Sequence, residues 1–236
     1  MKSSSKQPEL EFHFLTLFPE VFAPVLGSSL LGKAQSRGLV RYVTHQIRDF
    51  SEDKHRTVDG TPYGGGEGML LRADVLHRAW KKALPRKSAR ARTLLLSPQG
   101  RPLTQERAKA WVRDYRKLVL VCGHYEGVDE RFIEKCVDEE VSIGDYVLTG
   151  GELPALVLAD VLTRLLPGVV GNSRSLSEDS LEGGLLKYPQ YTRPAVFEGL
   201  AVPEVLLSGN HGKIAEWRQS ERLRRTREKR PDLLKK

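Results

Sequence analysis

The 236-residue chain predicts an α/β fold: a mostly parallel sheet with helices on both faces, followed by a small helical domain. Three observations carry this. Strand-like and helix-like segments alternate from Phe12 to Pro167. From Gly168 the texture changes to GVVGNSRSLSEDSLEGG, rich in Gly and Ser and without a period. A hydrophobic fraction of 39%, with 3 Trp, 7 Tyr and 7 Phe, is enough to build a core and argues against wholesale disorder. The expected organisation is therefore a main domain over 1–167, a linker over 168–184 and a small basic helical domain over 185–236. That last piece is too short and too basic for a confident core of its own, and so is expected to lean on something else.

The elements follow in order. FHFLTLF, from Phe12, is the first strand, and a helix runs from Glu20 to Ser36, ended by Gly38. The strand LVRYVTHQI precedes a polar loop of some twenty residues, Arg48 to Gly68, which carries His55, Arg56, Asp59 and YGGGEG and is long enough to suspect function. A helix over Ala73–Leu84, the strand TLLLS, a helix over Thr104–Tyr115 and the strand KLVLVC come next. A helix over Glu130–Cys136, the strand EEVSIG and a helix from Glu152 to Leu166, with Pro154 in its first turn, complete the set.

Composition narrows the function classes. Cys122 and Cys136 fit neither a CxxC nor a Cys/His metal spacing; they read as small buried residues in a reducing compartment, and no metal site is expected from them. The N-terminus MKSSSKQPELEF lacks the apolar stretch of a secretory signal, and the apolar run Leu156–Leu166 is broken by Asp160 and Arg164. A cytoplasmic protein with no membrane partner is expected. Lys and Arg number 38 against 30 Asp and Glu, a net charge of +8. Residues 213–236 hold ten basic and four acidic side chains, so six of those net charges lie in the last 24 residues. This tail reads as a helix anchored by Ile214 and Trp217, suited to a polyanionic partner or to a solvated face. A second basic run, Lys81, Lys82, Arg86, Lys87, Arg90 and Arg92, contains no acid and reads as a mobile link.

In open parallel sheets ligands collect beyond the carboxyl ends of strands. Three such loops look alike: LSPQG (Leu96–Gly100), CGHYEGVDER (Cys122–Arg131) and SIGDYVLTGGELPA (Ser142–Ala155). Their glycines let backbone groups approach a ligand closely, as a flat base and a ribose require, although each loop alone is also ordinary turn chemistry. Commoner nucleotide motifs fail. Gly64–Gly68 does not complete GxGxxG, since Met69 stands where the third glycine should be. The GxxxxGK match at Gly27–Lys33 has Ala34 in place of the metal-binding hydroxyl and falls within the expected helix. Two charged residues stand apart. Arg164 could pair with Asp160 at i,i+4, and Asp179 could be the N-cap of a short helix; spacing promotes neither beyond that.

These strings, from FLTLFPEVF through RDFSEDKHRTVDGTPYGGGEGM, the three loops, EDS and YTRP to LLSGNHGKIAEWR, resemble the bacterial tRNA (guanine-N1)-methyltransferases of the knotted SPOUT class over nearly the whole chain. The departures are about ten extra residues before the first strand and a C-terminus that stops sooner after RRTREKRPDLL. The resemblance implies a deep trefoil knot, which the rarity of knots would otherwise exclude. It implies S-adenosylmethionine held by Leu96, Ser97, Pro98, Gly123, Tyr125, Glu126, Ile143, Gly144, Asp145, Tyr146, Val147, Leu148, Gly150, Gly151 and Pro154. It gives Asp179 the part of catalytic base and Arg164 that of the cation at the developing charge. It implies tRNA contacts from His55, Arg56, Asp59, Asn210, His211 and Arg218, with tRNA rather than DNA as partner. It implies a homodimer with composite sites and the guanine 3′ of the anticodon, itself preceded by a guanine, as target. It also implies magnesium, for which the sequence offers no carboxylate cluster beyond Glu126 and Asp179. A knotted methyltransferase with another RNA target and a non-catalytic RNA-binding protein are the alternatives.

Overall fold

The computed structural model describes residues 8–171 and 179–234. The chain divides into two compact units, Met1–Gly171 and Asn172–Lys236. In the first unit the strands are β1 (Leu10–Thr16), β2 (Val40–Gln46), β3 (Asp59–Gly60), β4 (Leu70–Leu71), β5 (Ala91–Pro102), β6 (Lys117–Cys122) and β7 (Glu139–Ser142). Its helices are α1 (Phe22–Leu26), α2 (Ser29–Ser36), α3 (Ala73–Ala83), α4 (Gln105–Asp114), α5 (Glu130–Cys136) and α6 (Glu152–Leu165). Five strands form one sheet in the order β2-β1-β6-β5-β7, and every pairing in it is parallel.

Side-chain alternation divides the apolar residues between two cores. Leu10, Phe12 and Phe14 of β1, Leu94 and Leu96 of β5, and Leu118 and Leu120 of β6 face α1, α2, α4 and α6. Leu15, Leu95, Val119 and Val121 point the other way, onto α3 and α5. Phe12, Phe14, Leu15 and Leu120 are fully buried, and each such side chain contributes roughly 1.5–3 kcal/mol. Both faces of the sheet are thus covered, as the near-continuous apolar strands anticipate.

Three local expectations are corrected. The helix expected over residues 20–36 is broken into a 3-10 turn (Pro19–Val21), α1 and α2, because Ser28 is extended at φ −96° and ψ 160°. At that corner Gly32 lies against the preceding turn: a Cβ there would sit 2.2 Å from the Gly27 carbonyl oxygen. The GxxxxGK match is therefore a helix–helix corner. LSPQG does not follow a strand but interrupts one; β5 pairs with β7 up to Leu96, bulges, and pairs again at Arg101 and Pro102. The basic run is no loose link either. Lys81 and Lys82 close α3, the Ala91 amide donates to the Ser88 carbonyl, and Arg92 lies in β5.

In the second unit β8 (Val196–Phe197) and β9 (Leu200–Ala201) form a hairpin, followed by α7 (Glu204–Leu207) and α8 (His211–Lys229). Ile214 and Trp217 are half-buried. Thr226 is the fully buried residue of α8, and its hydroxyl accepts from the Leu186 amide at 2.9 Å. Among the described residues no helix is long and apolar enough to cross a membrane.

Candidate functional site

At the bulge within β5 and the carboxyl ends of β6 and β7, three segments close on one cleft of about 510 Å³. That volume falls within the range of small-molecule sites. The Gly151 amide donates to the Gly123 carbonyl at 2.9 Å and ties the third loop to the second. A Cβ on Gly151 would come within 2.6 Å of Cys122 Cα, so only glycine lets the start of α6 lie on the end of β6. Tyr125 holds a left-handed φ of 60°, a strained state for a non-glycine residue and one that clusters at functional sites.

Of the cofactor residues expected from sequence, all but one line this cleft: Leu96, Ser97, Pro98, Gly123, Tyr125, Glu126, Ile143, Gly144, Tyr146, Val147, Leu148, Gly150, Gly151 and Pro154. Asp145 is the exception; it is exposed and does not line the cleft. Leu95, Val128 and Ile133 add apolar wall. Main chain, glycines and apolar sides with few charges suit an uncharged ring system and a ribose.

Sequence reasoning missed the support beneath the cleft. Glu152, 6% exposed, accepts from the Thr16 hydroxyl at 2.6 Å, and its second oxygen lies 2.6 Å from His124 Nε2. A carboxylate only accepts, which places the proton on that nitrogen. His124 and Glu152 both stand inside the strand-end loop strings, but a Glu in the first turn of a helix reads as a partner for the helix dipole. Cys122, completely buried at the same place, has its thiol pushed well above the usual range by burial and by the Glu152 charge, so it is no nucleophile.

Arg164 is half-buried in the last turn of α6, and Asp160 is exposed. Next to Arg164, Thr163 shares a hydrogen bond of 2.8 Å with the Tyr42 hydroxyl, which burial pushes up to about 12. Asp179 lies in the second unit, where its Oδ1 accepts from Lys187 Nζ at 3.4 Å. It is not the N-cap of the following 3-10 turn, Glu182–Gly184, which begins after Leu181. Residues 172–178 of the expected linker lie outside the described residues.

The Arg48–Gly68 loop is ordered about Asp53, which accepts from the amides of His55 and Thr57 and from the Ser51 and Thr57 hydroxyls. The Thr57 amide, first among these, holds the Asp53 carboxyl below its usual range. His55 and Arg56 are exposed, and Asp59 lies in β3, paired with Leu71. Asp59, Tyr63, Arg72, His77 and Arg131 border a second, larger cavity of about 760 Å³ that meets the cleft at Leu70. Four of its charged side chains pair with one another, Arg72 with Asp74 and Arg131 with Asp129. In the second unit Asn210 caps α8, accepting from the Lys213 amide at 3.1 Å; His211 is exposed, and the Arg218 guanidinium lies 4.7 Å from the Tyr188 ring centre. Among the described residues no three His, Cys, Asp or Glu side chains stand close enough to hold a metal ion.

Residues 10–236 match the family described as tRNA (Guanine-1)-methyltransferase TrmD. Similar curated relatives carry the name tRNA (guanine-N(1)-)-methyltransferase. The one from Ruminiclostridium cellulolyticum is 52% identical over 227 residues, 96% of this chain and 97% of that protein. That of Bacillus subtilis is 52% identical over 226 residues, 96% and 93% of the two chains. That of Chelativorans sp. is 57% identical over 222 residues, 93% and 92%.

Proposed function

The chain belongs to the tRNA (guanine-1)-methyltransferase family, and from that membership we propose that it transfers a methyl group from S-adenosylmethionine to N1 of a guanine in tRNA. The supporting observation is the convergence of the β5 bulge and two glycine-bearing strand-end loops on one cleft. The target we assign is the guanine immediately 3′ of the anticodon, preceded by another guanine. Bound in the cleft, S-adenosylmethionine supplies an electrophilic methyl group on a cationic sulfur.

The chain's own residues must free the lone pair of N1, which carries a proton at neutral pH. Asp179 takes that proton; a base within hydrogen-bond reach contributes on the order of 10² to 10⁴-fold. Lys187 Nζ lies 3.4 Å from its carboxylate. As the proton leaves, negative charge grows on O6, and the Arg164 guanidinium stabilises it. The Arg48–Gly68 loop and α8 hold the tRNA. Glu126 is the cleft carboxylate that the resemblance would offer to magnesium. Exposed Val21 before α1, Val25 within it, and exposed Leu153 and Val157 on α6 offer apolar surface for a homodimer, in which the segment bearing Asp179 serves the partner's cleft. The cytoplasm suits the two free, buried cysteines.

Labelled methyl transfer to a tRNA transcript, compared with one whose target guanine is replaced by adenine, tests the reading. Label enters the first and not the second; equal labelling would overturn the target. Asp179→Asn keeps cofactor and tRNA binding and loses at least about 10²-fold in turnover. Full turnover in that variant removes Asp179 as base, whereas label in neither transcript leaves the rivals, another RNA target or RNA binding alone.

A further inference from the structure

From Val75 to Gln105 there is no acidic residue, while Arg78, Lys81, Lys82, Arg86, Lys87, Arg90, Arg92 and Arg101 are all cationic. Folding gathers part of this run on one edge. Arg86 and Arg90 border a groove of about 560 Å³ with Glu11, Arg116 and Lys117, at the amino ends of β1, β5 and β6. Lys82, Arg86, Lys87 and Arg90 are exposed, and among the described residues none forms an ion pair. Glu11, the carboxylate in the groove, is already engaged by Lys117 at 3.3 Å and Arg41 at 3.6 Å. Arg92 is likewise engaged by Glu139.

Burial, then Lys82 and Lys117, hold His45 below its usual range. Burial raises the Cys136 thiol, and Lys135, Lys87 and Lys81 oppose that rise. The strip is an uncompensated positive surface on the first unit, where nothing in the methyl-transfer chemistry uses it.

We infer that Lys82, Arg86, Lys87 and Arg90 form a docking strip for the phosphate backbone of the substrate tRNA, remote from the target base. The distance sets which part of the RNA it meets. Arg86 and Arg90 of the strip lie at the start of β6 and the cleft at its end, so the six-residue strand separates them by roughly 17 Å at about 3.3 Å per residue. Phosphates meeting it are therefore not those of the reacting nucleotide, and we assign them to the body of the tRNA. Such contacts carry affinity and salt dependence but no sequence information.

The inference rests on tRNA as substrate, and the test separates the two. The triple variant Lys82→Gln, Lys87→Gln, Arg90→Gln is compared with the unaltered protein in binding full-length tRNA and a short hairpin carrying the target guanine, over a series of salt concentrations. Full-length tRNA binds about tenfold more weakly or worse, and the slope of log affinity on log salt becomes shallower by about 0.7–0.9 for each phosphate no longer neutralised. Hairpin binding, S-adenosylmethionine binding and turnover at saturating tRNA stay unchanged. A charge-preserving triple, Lys82→Arg, Lys87→Arg, Arg90→Lys, restores the tRNA affinity. Unchanged affinity and slope for full-length tRNA overturn the strip, as does equal weakening of the hairpin or failure of the charge-preserving variant to recover. An unaltered protein that binds tRNA but methylates no transcript instead overturns the enzymatic reading and leaves the salt slopes to decide the strip.

Discussion

A carboxylate that is 6% exposed is stable only when its lone pairs are met, and Glu152 meets them with Thr16 and His124, each at 2.6 Å. Because His124 stands in the second cofactor loop and Gly150 and Gly151 immediately precede Glu152, this one side chain fixes two walls of the cleft. Glu152→Gln keeps the shape but turns one acceptor toward a donor. The expected result is a loss of about 1–3 kcal/mol in stability and about tenfold in S-adenosylmethionine affinity, with turnover at saturating cofactor little changed. Calorimetric titration together with thermal unfolding reads this, and an unaltered cofactor affinity would refute the positioning role. None of it was legible in the sequence, since Thr16 and Glu152 are 136 positions apart and no local pattern joins them. The glycines and Pro154 were legible because they act on their own backbone.

Between β1 and β2 the rings of His13 and His45 stack at 5.1 Å, and His13 Nδ1 lies 2.8 Å from His45 Nε2. That bond needs one N–H and one lone pair, so the two nitrogens cannot both be protonated. Burial, then Lys117 and His45, push His13 down to about 4 from its ordinary 6.5. The unfolded chain therefore binds the proton first as pH falls. The stability His13 contributes is present above about pH 6.5 and is lost as pH falls toward 4, by up to roughly 3 kcal/mol at about 1.4 kcal/mol per pH unit. Urea midpoints at pH 7 and pH 4.5 should diverge in the native sequence and converge in His13→Gln; the same divergence in both would show that other groups carry the acid sensitivity. The five strands of the main sheet were readable from their apolar runs, and α3 to α6 from their caps and periods; the two-residue strands β3, β4, β8 and β9 were not. The break after Gly27 and the bulge within β5 were not, because both depend on close backbone approaches, at Gly32 and at Gly100.

At the scale of the molecule, the proposed composite site makes association a condition of activity. Leu153 and Val157 lie four apart on α6 and are 57% and 41% exposed, which is costly for a surface left in water. Replacing both by Asp should give a monomer by light scattering that still binds S-adenosylmethionine but has lost methyl transfer. A fully active monomer would sink the composite site. The α/β class was legible from alternation, and the concentration of charge in the tail from counting. The knot implied by the resemblance has no counterpart in hydrophobic periodicity, which carries no information about threading. The edge strip was visible as a run of letters, but only the fold sets Arg90 beside Lys117.

Gly151 bears further on how such a cleft could be blocked. Its wall is main chain pressed against main chain, with no room for a Cβ beside Cys122 Cα, and its neighbour Gly150 is held as closely by His124. An inhibitor seated on that stretch would confront few substitutions able to expel it without dismantling the floor it rests on. Resistance would have to arise at the exposed rim, at Tyr146, Val147 or Leu148, where side chains are free to change.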